Sequence, residues 1–315
     1  MGRLIAIAEL VHASIPRTGE VMKALAAGGD DAYQVDGDAL EYMKSLIERQ
    51  ADEGASYIAV NVDALGENDE AVAVATMRHY ARLVRRWGKG VPICVDSSND
   101  EVLTAGLFEW YETDQPVRPP LINSIKVYTA DRMMPLRKDY EFSFVGLLIG
   151  EGKATGPGGS YSMDELYEFA RELFDKAVGR YGFGRGELYF DSTVYPLAID
   201  MPMEPGVPGY TYRAFETIRR IMNDPEMKGV HCSLGVSNSS RDLPGRRVGI
   251  CRAFVQKAME YGLDAGIVNV FHHLDEKAAD PDLLGLVDAF AKMDGSADRT
   301  NEAMMAMGKF CASCR

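Results

Sequence analysis

The sequence has few basic residues for its length. Its 34 lysine and arginine residues are outnumbered by 47 aspartate and glutamate residues, which gives a formal net charge of −13 at pH 7. Binding to nucleic acid or to anionic lipid depends on clustered positive charge. We therefore expect no nucleic-acid partner and no membrane partner.

Cysteines are few, and long apolar runs are absent from the sequence. The five cysteines are odd in number and form no regular framework of the kind found in disulfide-rich secreted proteins. No stretch approaches the roughly 18 consecutive apolar residues of a transmembrane helix. The apolar run that begins at Leu4 is too short for a secretory signal. With 46% apolar residues, the composition predicts a soluble cytoplasmic protein with a large core.

Short apolar segments alternate with longer amphipathic ones along most of the chain. Each short segment is bounded by Gly, Pro, Asp or Asn, which is typical of buried parallel strands. Eight such segments occur, at residues 4–10, 57–62, 92–95, 121–127, 142–149, 188–190, 230–236 and 266–271. Helical periodicity is clearest at residues 69–87, 163–181, 245–261 and 281–290. The residues at N-cap positions are Asp69, Asn99, Ser162 and Asp280.

Eight strand–helix alternations favour one α/β domain folded as a (β/α)8 TIM barrel. A Rossmann-like open sheet is the alternative, but no Gly-x-Gly-x-x-Gly follows the first strand. We expect the barrel to span residues 1–295, with residues 296–315 as a C-terminal helical extension or tail. Two segments rich in Gly or Pro, at 151–160 and 201–210, are predicted to be loops on the face where the strands end.

Carboxylate and amide side chains stand where most of the predicted strands end. A barrel directs such groups into one bowl. In chain order they are Glu9, Asn61, Asp96, Asn123, Asp191, Asn238 and Asn269. Asp96, Asn123 and Asp191 offer donors and acceptors to a planar heterocycle that carries an amino group and ring N–H groups. The alternative for each carboxylate is to cap the helix that follows it.

Five motifs in this order resemble the pterin-binding methyltransferases that transfer methyl groups between methyltetrahydrofolate and corrinoid proteins. These enzymes share a dihydropteroate synthase-like barrel. The motifs are PICVDSSN at 92–99, LINS at 121–124, LYFD at 188–191, LGVSNSS at 234–240 and GLDA at 262–265. The resemblance covers roughly residues 3–290. It implies a methyltransferase acting on tetrahydrofolate or 5-methyltetrahydrofolate, with cobalamin on a partner corrinoid protein, no metal of its own, and a homodimer.

The resemblance also implies roles for individual residues. Asn238 would be the catalytic group, hydrogen-bonded to N5, the pterin nitrogen that carries the methyl group. The remaining residues would form the folate site. They are Asp96, Asn123 and Asp191 around the pterin ring, Ser237 and Gly235 beside Asn238, Arg246 on the next loop, and Asn61 and Glu9 at the ends of strands 2 and 1.

The chain departs from the family pattern near strand 1. The family has Gly-Glu-Arg-x-Asn there, whereas residues 8–12 read Ala-Glu-Leu-Val-His, and Ala59 replaces a typical Asp two residues before Asn61. Two alternatives follow, a folate-binding scaffold without turnover and the same chemistry on tetrahydromethanopterin. Dihydropteroate synthase activity is disfavoured, because that enzyme would have a Ser-Arg pair where Ser237 and Asn238 stand.

Two pairs of residues with metal-ligand chemistry have no assigned role. Cys311 and Cys314 have redox or metal spacing but stand alone at the end of the sequence. His272 and His273 are adjacent, so their side chains diverge and make a poor chelate. We expect the cysteines to belong to a plain tail and the histidines to serve structure or substrate contact.

Overall fold

The computed structural model describes residues 2–152, 154, 161–201 and 204–314. Eight parallel strands lie in one sheet in the order β7-β6-β5-β4-β3-β2-β1-β8. They are β1 (Ile5–His12), β2 (Tyr57–Asn61), β3 (Ile93–Asp96), β4 (Leu121–Ile125), β5 (Ser143–Leu147), β6 (Leu188–Asp191), β7 (His231–Ser233) and β8 (Ala265–Val268). All eight predicted strands are present, with most of their ends trimmed by one to three residues.

The sheet closes on itself between β7 and β8. A parallel bridge joins Gly235 to Ile267 just beyond the end of β7. The amide of Ile267 donates to the carbonyl oxygen of Leu234 at 2.9 Å. The prediction of a single (β/α)8 barrel is therefore confirmed.

Helices surround the ring of strands. They are α1 (Pro16–Ala27), α2 (Asp38–Asp52), α3 (Glu70–Trp87), α4 (Asp100–Tyr111), α5 (Ala130–Met133), α6 (Met163–Phe174), α7 (Tyr210–Asn223), α8 (Arg247–Glu260), α9 (Pro281–Ala291) and α10 (Ala297–Ser313). The predicted segment 163–181 is helical throughout most of its length, but it changes at Asp175 from an α-helix to a π-helical turn that ends at Arg180.

The four predicted N-caps are confirmed, and each explains where its helix begins. Asp69, Asn99 and Asp280 accept backbone N–H groups from the first turns of α3, α4 and α9. Ser162 forms a reciprocal capping box with Glu165 at the start of α6. These side chains satisfy amides that have no partner within the helix.

Side chains from the strands fill the barrel interior. One buried residue from each of seven strands forms this inner cluster, and the members are Ile7, Ala59, Cys94, Leu121, Val145, Tyr189 and Ala265. A larger apolar layer lies between the strands and the helices. The interior is thus a packed core, and in barrels of this kind the site forms at the carboxyl end of the strands.

The last helix, α10, packs against α9 and buries Ala303 and Phe310. Cys311 lies in its final turns and Cys314 follows directly, and both are half-buried against the core. The cysteine pair therefore belongs to an ordered helix end and not to a free tail. In the ranges given above, no helix is long and apolar enough to cross a membrane. The predicted loops at 151–160 and 201–210 lie partly outside the described residues.

Gly106 on α4 permits close packing of this helix on β3 and α3. A Cβ atom at this position would lie 2.6 Å from Val95 Cγ1 and 2.9 Å from Met77 Cγ. Gly106→Ala should lower the free energy of unfolding by about 1–3 kcal/mol, as overpacked cores do. Chemical denaturation measures this change.

Gly308 provides the matched control on α10. No atom lies within 4 Å of a Cβ placed there. Gly308→Ala should therefore raise stability by roughly 0.5–1 kcal/mol, because alanine favours a helix interior. Equal stability changes in the two variants would contradict the packing argument.

Candidate active site

A bulge in β1 determines which of its side chains reach the carboxyl end of the barrel. The pairing register of β1 with β2 shifts between Ala8 and Val11, so that one extra residue is inserted. Ile7 faces the barrel interior, whereas Ala8 and Val11 face the helices. The bulge thus reverses the alternation after Glu9 and turns His12 toward the barrel mouth. Gln50 on α2 supports the bulge by accepting the amide of Leu10 at 3.0 Å.

One cavity of about 640 Å³ opens at this end of the barrel. Its floor includes Ala59 and Ile267, which belong to the inner core or pack against it. Its walls come from the ends of β1, β2 and β3 and from the segment that follows β7. The polar lining residues are Glu9, His12, Ser14, Asn61, Asp96, Ser237, Asn238, Ser240, Arg241 and Arg247.

Asp96 is the centre of an amide and carboxylate network in this cavity. Its carboxylate accepts the Asn123 Nδ2 amide at 3.0 Å and also a hydrogen bond from the Asn61 side chain. Burial raises the pKa of Asp96 to about 7. The carboxylates of Asp63 and Asp191 add to this rise, and the Lys126 ammonium opposes it.

Asp191 lies at the end of β6 and is only 6% exposed. Its Oδ1 atom accepts the amide of Thr193 at 2.7 Å, and burial raises the pKa of Asp191 to about 7. Two carboxyl groups that titrate near neutrality at one barrel mouth are an unusual and costly arrangement. Such clusters occur at ligand or catalytic sites more often than at purely structural ones.

The segment after β7 brings Asn238 beside Glu9. Residues Val236–Ser240 form a 3-10 turn, and the Ser237 hydroxyl donates to Glu9 Oε2 at 2.5 Å. Burial raises the pKa of Glu9, while this hydrogen bond and the Asn269 amide lower it. A Cβ at Gly235 would lie 3.2 Å from Asn238 Nδ2. The absence of a side chain at Gly235 therefore leaves room for the Asn238 amide.

The structure brings most of the predicted site residues together, although Arg246 lies apart. Six line the cavity, namely Glu9, Asn61, Asp96, Gly235, Ser237 and Asn238. Asn123 bonds to Asp96, and Asp191 acts on Asp96 through its charge. Arg246 instead forms an ion pair with Asp280 at 2.5 Å, beside a depression between α9 and α10. Arg241 and Arg247 line the cavity in its place.

Three polar residues that the sequence analysis did not assign to the site belong to it or support it. His12 reaches the cavity through the β1 bulge. Lys126 is 6% exposed and donates to the carbonyl oxygen of Ser98 at 3.3 Å. Asp63 accepts the hydroxyl groups of Ser97 and Ser98 at 2.5 and 2.8 Å. The one sequence signal that could have identified these residues as part of the site is that each lies close to the end of a predicted strand.

The histidine pair after β8 has separate partners. His272 lies 3.2 Å from the amide of Asn269, and the ring nitrogens of His273 lie 3.3 Å from the carboxylates of Glu53 and Glu276. Among the residues that the structure describes, no three His, Cys, Asp or Glu side chains form a group that could hold a metal ion.

Comparison with known proteins identifies the family. A sequence model described as pterin binding enzyme matches residues 32–269, and the chain belongs to this family. The fold is similar to a dihydropteroate synthase from Stenotrophomonas maltophilia with imidazole in its active site. The two chains are 18% identical with a TM-score of 0.52, over 81% of this chain and 89% of the other.

A second similar structure is the Yersinia pestis enzyme DHPS with a pterin–sulfa conjugate. The identity is 15% and the TM-score is 0.50, over 80% of this chain and 86% of that one. At such low identity, both structures establish a shared fold alone. The carboxylates and amides described above can hold the donor-rich edge of a pterin, because an ionised carboxylate accepts paired N–H groups.

The raised pKa of Asp96 makes stability depend on pH. An acid whose pKa rises from 3.8 to about 7 on folding takes up protons as the chain folds, so the free energy of unfolding falls as pH rises through this interval. Asp96→Asn removes this acid. Its stability relative to the wild-type protein should increase between pH 4 and pH 7, by at most about 1.4 kcal/mol per pH unit.

Denaturant titrations across this pH range measure the difference. Asn123→Ala is the matched control, since it removes a donor to the same carboxylate but keeps the acid. Its pH dependence should persist. Parallel curves for Asp96→Asn and the wild-type protein would show that Asp96 ionises normally.

Proposed function

We propose that this protein is a methyltransferase that moves a methyl group between N5 of tetrahydrofolate and the cobalt of a corrinoid on a partner protein. One observation supports this most directly. The amide of Asn238 lines the same cavity as Asp96 and Asn61, within a chain that belongs to the pterin binding enzyme family. An uncharged amide at that place suits chemistry at a ring nitrogen better than it suits hydrolysis.

The acidic side of the cavity suits the pyrimidine edge of the pterin. This edge presents an amino group and a ring N–H, which pair with a carboxylate in the bidentate way that a guanidinium does. Asp96 and Asp191 are the candidates for that contact. Asn61 and Asn123 bond to Asp96 and so fix the orientation of its oxygen atoms. A fixed carboxylate can orient the bicyclic ring before reaction.

Asn238 suits the reacting nitrogen in either direction of transfer. When the methyl group leaves N5, that nitrogen must gain a proton or a strong hydrogen bond. When N5 receives the methyl group, it must keep its lone pair free. A side-chain amide presents both N–H and C=O and can rotate to match either state. This chain would therefore contribute orientation and electrostatic stabilisation, with no covalent intermediate.

The corrinoid would be the second substrate. It would supply the cobalt that gives or accepts the methyl group. The decisive assay mixes the protein with methylcobalamin and tetrahydrofolate under anaerobic conditions and follows the visible spectrum. We expect the methylcobalamin band to disappear as 5-methyltetrahydrofolate forms. Tetrahydromethanopterin in a parallel reaction tests whether the pterin is folate.

Two other functions have separate tests. Tight tetrahydrofolate binding without methyl exchange to free or protein-bound cobalamin would indicate a folate-binding scaffold. Formation of dihydropteroate, in a separate assay that supplies a dihydropterin diphosphate and 4-aminobenzoate, would indicate the activity of the similar solved structures. Calorimetry that detects no tetrahydrofolate binding would overturn the pterin assignment itself.

Asn238→Ala should reduce turnover by about tenfold or more, the usual scale for one hydrogen bond made in the transition state. The tetrahydrofolate dissociation constant should change far less, because the pterin edge is held elsewhere. Asn223→Ala is the matched control, since that amide bonds to a backbone carbonyl on α7. Wild-type turnover in Asn238→Ala would show that another group serves N5.

Gly235→Ala tests the placement of the Asn238 amide without removing it. The added methyl group should displace the amide by a few tenths of an ångström, because it would approach Nδ2 to 3.2 Å. Turnover should fall several-fold, since small misplacements near reacting atoms are costly. Gly285→Ala on α9 is the control, where a Cβ meets nothing within 4 Å. Full activity in Gly235→Ala would exclude this steric role.

A further inference from the structure

Acidic and basic side chains line the same cavity. The acidic residues are Glu9 and Asp96. The basic residues of the lining are His12, Arg241 and Arg247. An arginine side chain offers only N–H donors, and a neutral histidine ring offers one N–H donor. A ligand that fills the cavity would therefore carry both donor groups and an anionic or acceptor group.

The orientation of His12 follows from its backbone surroundings. The amide of Ser14 donates to His12 Nδ1 at 3.1 Å, so the neutral ring carries its proton on Nε2. Burial lowers the pKa of His12, although the Asp63 carboxylate opposes this shift. The neutral ring is thus a fixed donor in the cavity. The family pattern noted above has an asparagine at the position of His12. An imidazole N–H donor at this place in the cavity is therefore a feature of this chain.

Arg241 and Arg247 belong to an acidic chain. Acidic residues exceed basic ones by 13, and arginines such as Arg82, Arg137 and Arg171 form ion pairs with them. Neither Arg241 nor Arg247 forms an ion pair with any acidic residue that the structure describes. The Nε atom of Arg247 donates to the carbonyl oxygen of Leu243 at 3.3 Å, which leaves its two terminal nitrogens for another acceptor.

We propose that His12, Arg241 and Arg247 form an anion subsite that binds the carboxylates of a γ-glutamyl tail on the folate substrate. This inference rests on the proposed function. A guanidinium pairs with a carboxylate through two parallel hydrogen bonds. A single glutamate already carries two carboxylates, and each added glutamyl residue brings one more. The three donor groups of this subsite therefore favour a folate with several glutamyl residues over one with a single glutamate. The protein would then select polyglutamylated folates from the pool of pterins.

Three ligands separate the subsite from the pterin site. They are 6-methyltetrahydropterin, which has no tail, tetrahydrofolate with one glutamate, and tetrahydrofolate with three. Calorimetry under anaerobic conditions gives the dissociation constant of each. For the wild-type protein we expect the affinity to rise about tenfold from one glutamate to three, on the scale of one or two charge-assisted contacts. This gain should shrink as salt is raised.

Arg241→Gln and Arg247→Gln should each lose most of this gain while binding 6-methyltetrahydropterin as the wild-type protein does. That unchanged binding also shows that each variant is folded. His12→Ala should lose part of the gain, and His12→Asn should recover some of it because the amide restores an N–H donor. Arg299→Gln on α10 makes the same charge change in a residue paired with Glu302 and should keep the full gain.

The outcomes distinguish this inference from the proposed function. A tail-dependent gain that survives in both arginine variants, or one that is absent from the wild-type protein, would overturn the subsite while leaving pterin binding intact. A loss of the gain in Arg299→Gln as well would attribute it to overall charge and would also overturn the subsite. If none of the three ligands binds, the pterin assignment fails first.

Discussion

Closure of the barrel between β7 and β8 is the constraint on which the candidate site depends. β7 has only three residues, and the closing side relies on Asp264, whose carboxylate accepts the amide of Cys232 at 2.9 Å and pairs with His231 at 2.7 Å. Because the ring closes here, the segment after β7 lies beside the end of β1. The Ser237–Glu9 hydrogen bond joins residues 228 positions apart in sequence. Asn238 follows Ser237 directly and lines the same cavity as Glu9.

The same closure makes burial of carboxylates possible and costly. Asp96 ends β3 and Asp191 ends β6, two strands that β4 and β5 separate in the sheet, and the closed barrel holds both carboxyl groups in one low-dielectric bowl. Their pKa values rise to about 7 because burial disfavours the charged form. A fold under selection for stability alone would replace them with apolar residues. Their presence is understandable if a ligand with N–H groups compensates the charge when it binds.

Sequence patterns predicted the fold well because parallel strands buried on both faces appear as short apolar runs. The strand-end carboxylates and amides were predicted by the same reasoning.

Two features of the site could not be predicted in this way. The β1 bulge contains no glycine or proline, and Leu10 and Val11 continue an apolar run. The sequence therefore gave no sign that Val11 faces the helices. Arg246 adopts a left-handed backbone conformation with φ of 52°. This conformation could not be predicted from the sequence, because arginine has no preference for it. In this conformation the charge of Arg246 points to Asp280 and not to the cavity.

The bulge and the left-handed turn together bring two basic residues to the cavity. One turns His12 inward from β1, and the other begins α8 so that Arg247, and not Arg246, lines the cavity. Both are local backbone irregularities next to a regular barrel, and both supply donor groups to the cavity. Asp96, by contrast, ends a regular strand, whereas Glu9 lies within the bulge itself. Different parts of the fold would then recognise the pterin ring and select among pterin substrates. The selection could change without a change in how the ring is recognised.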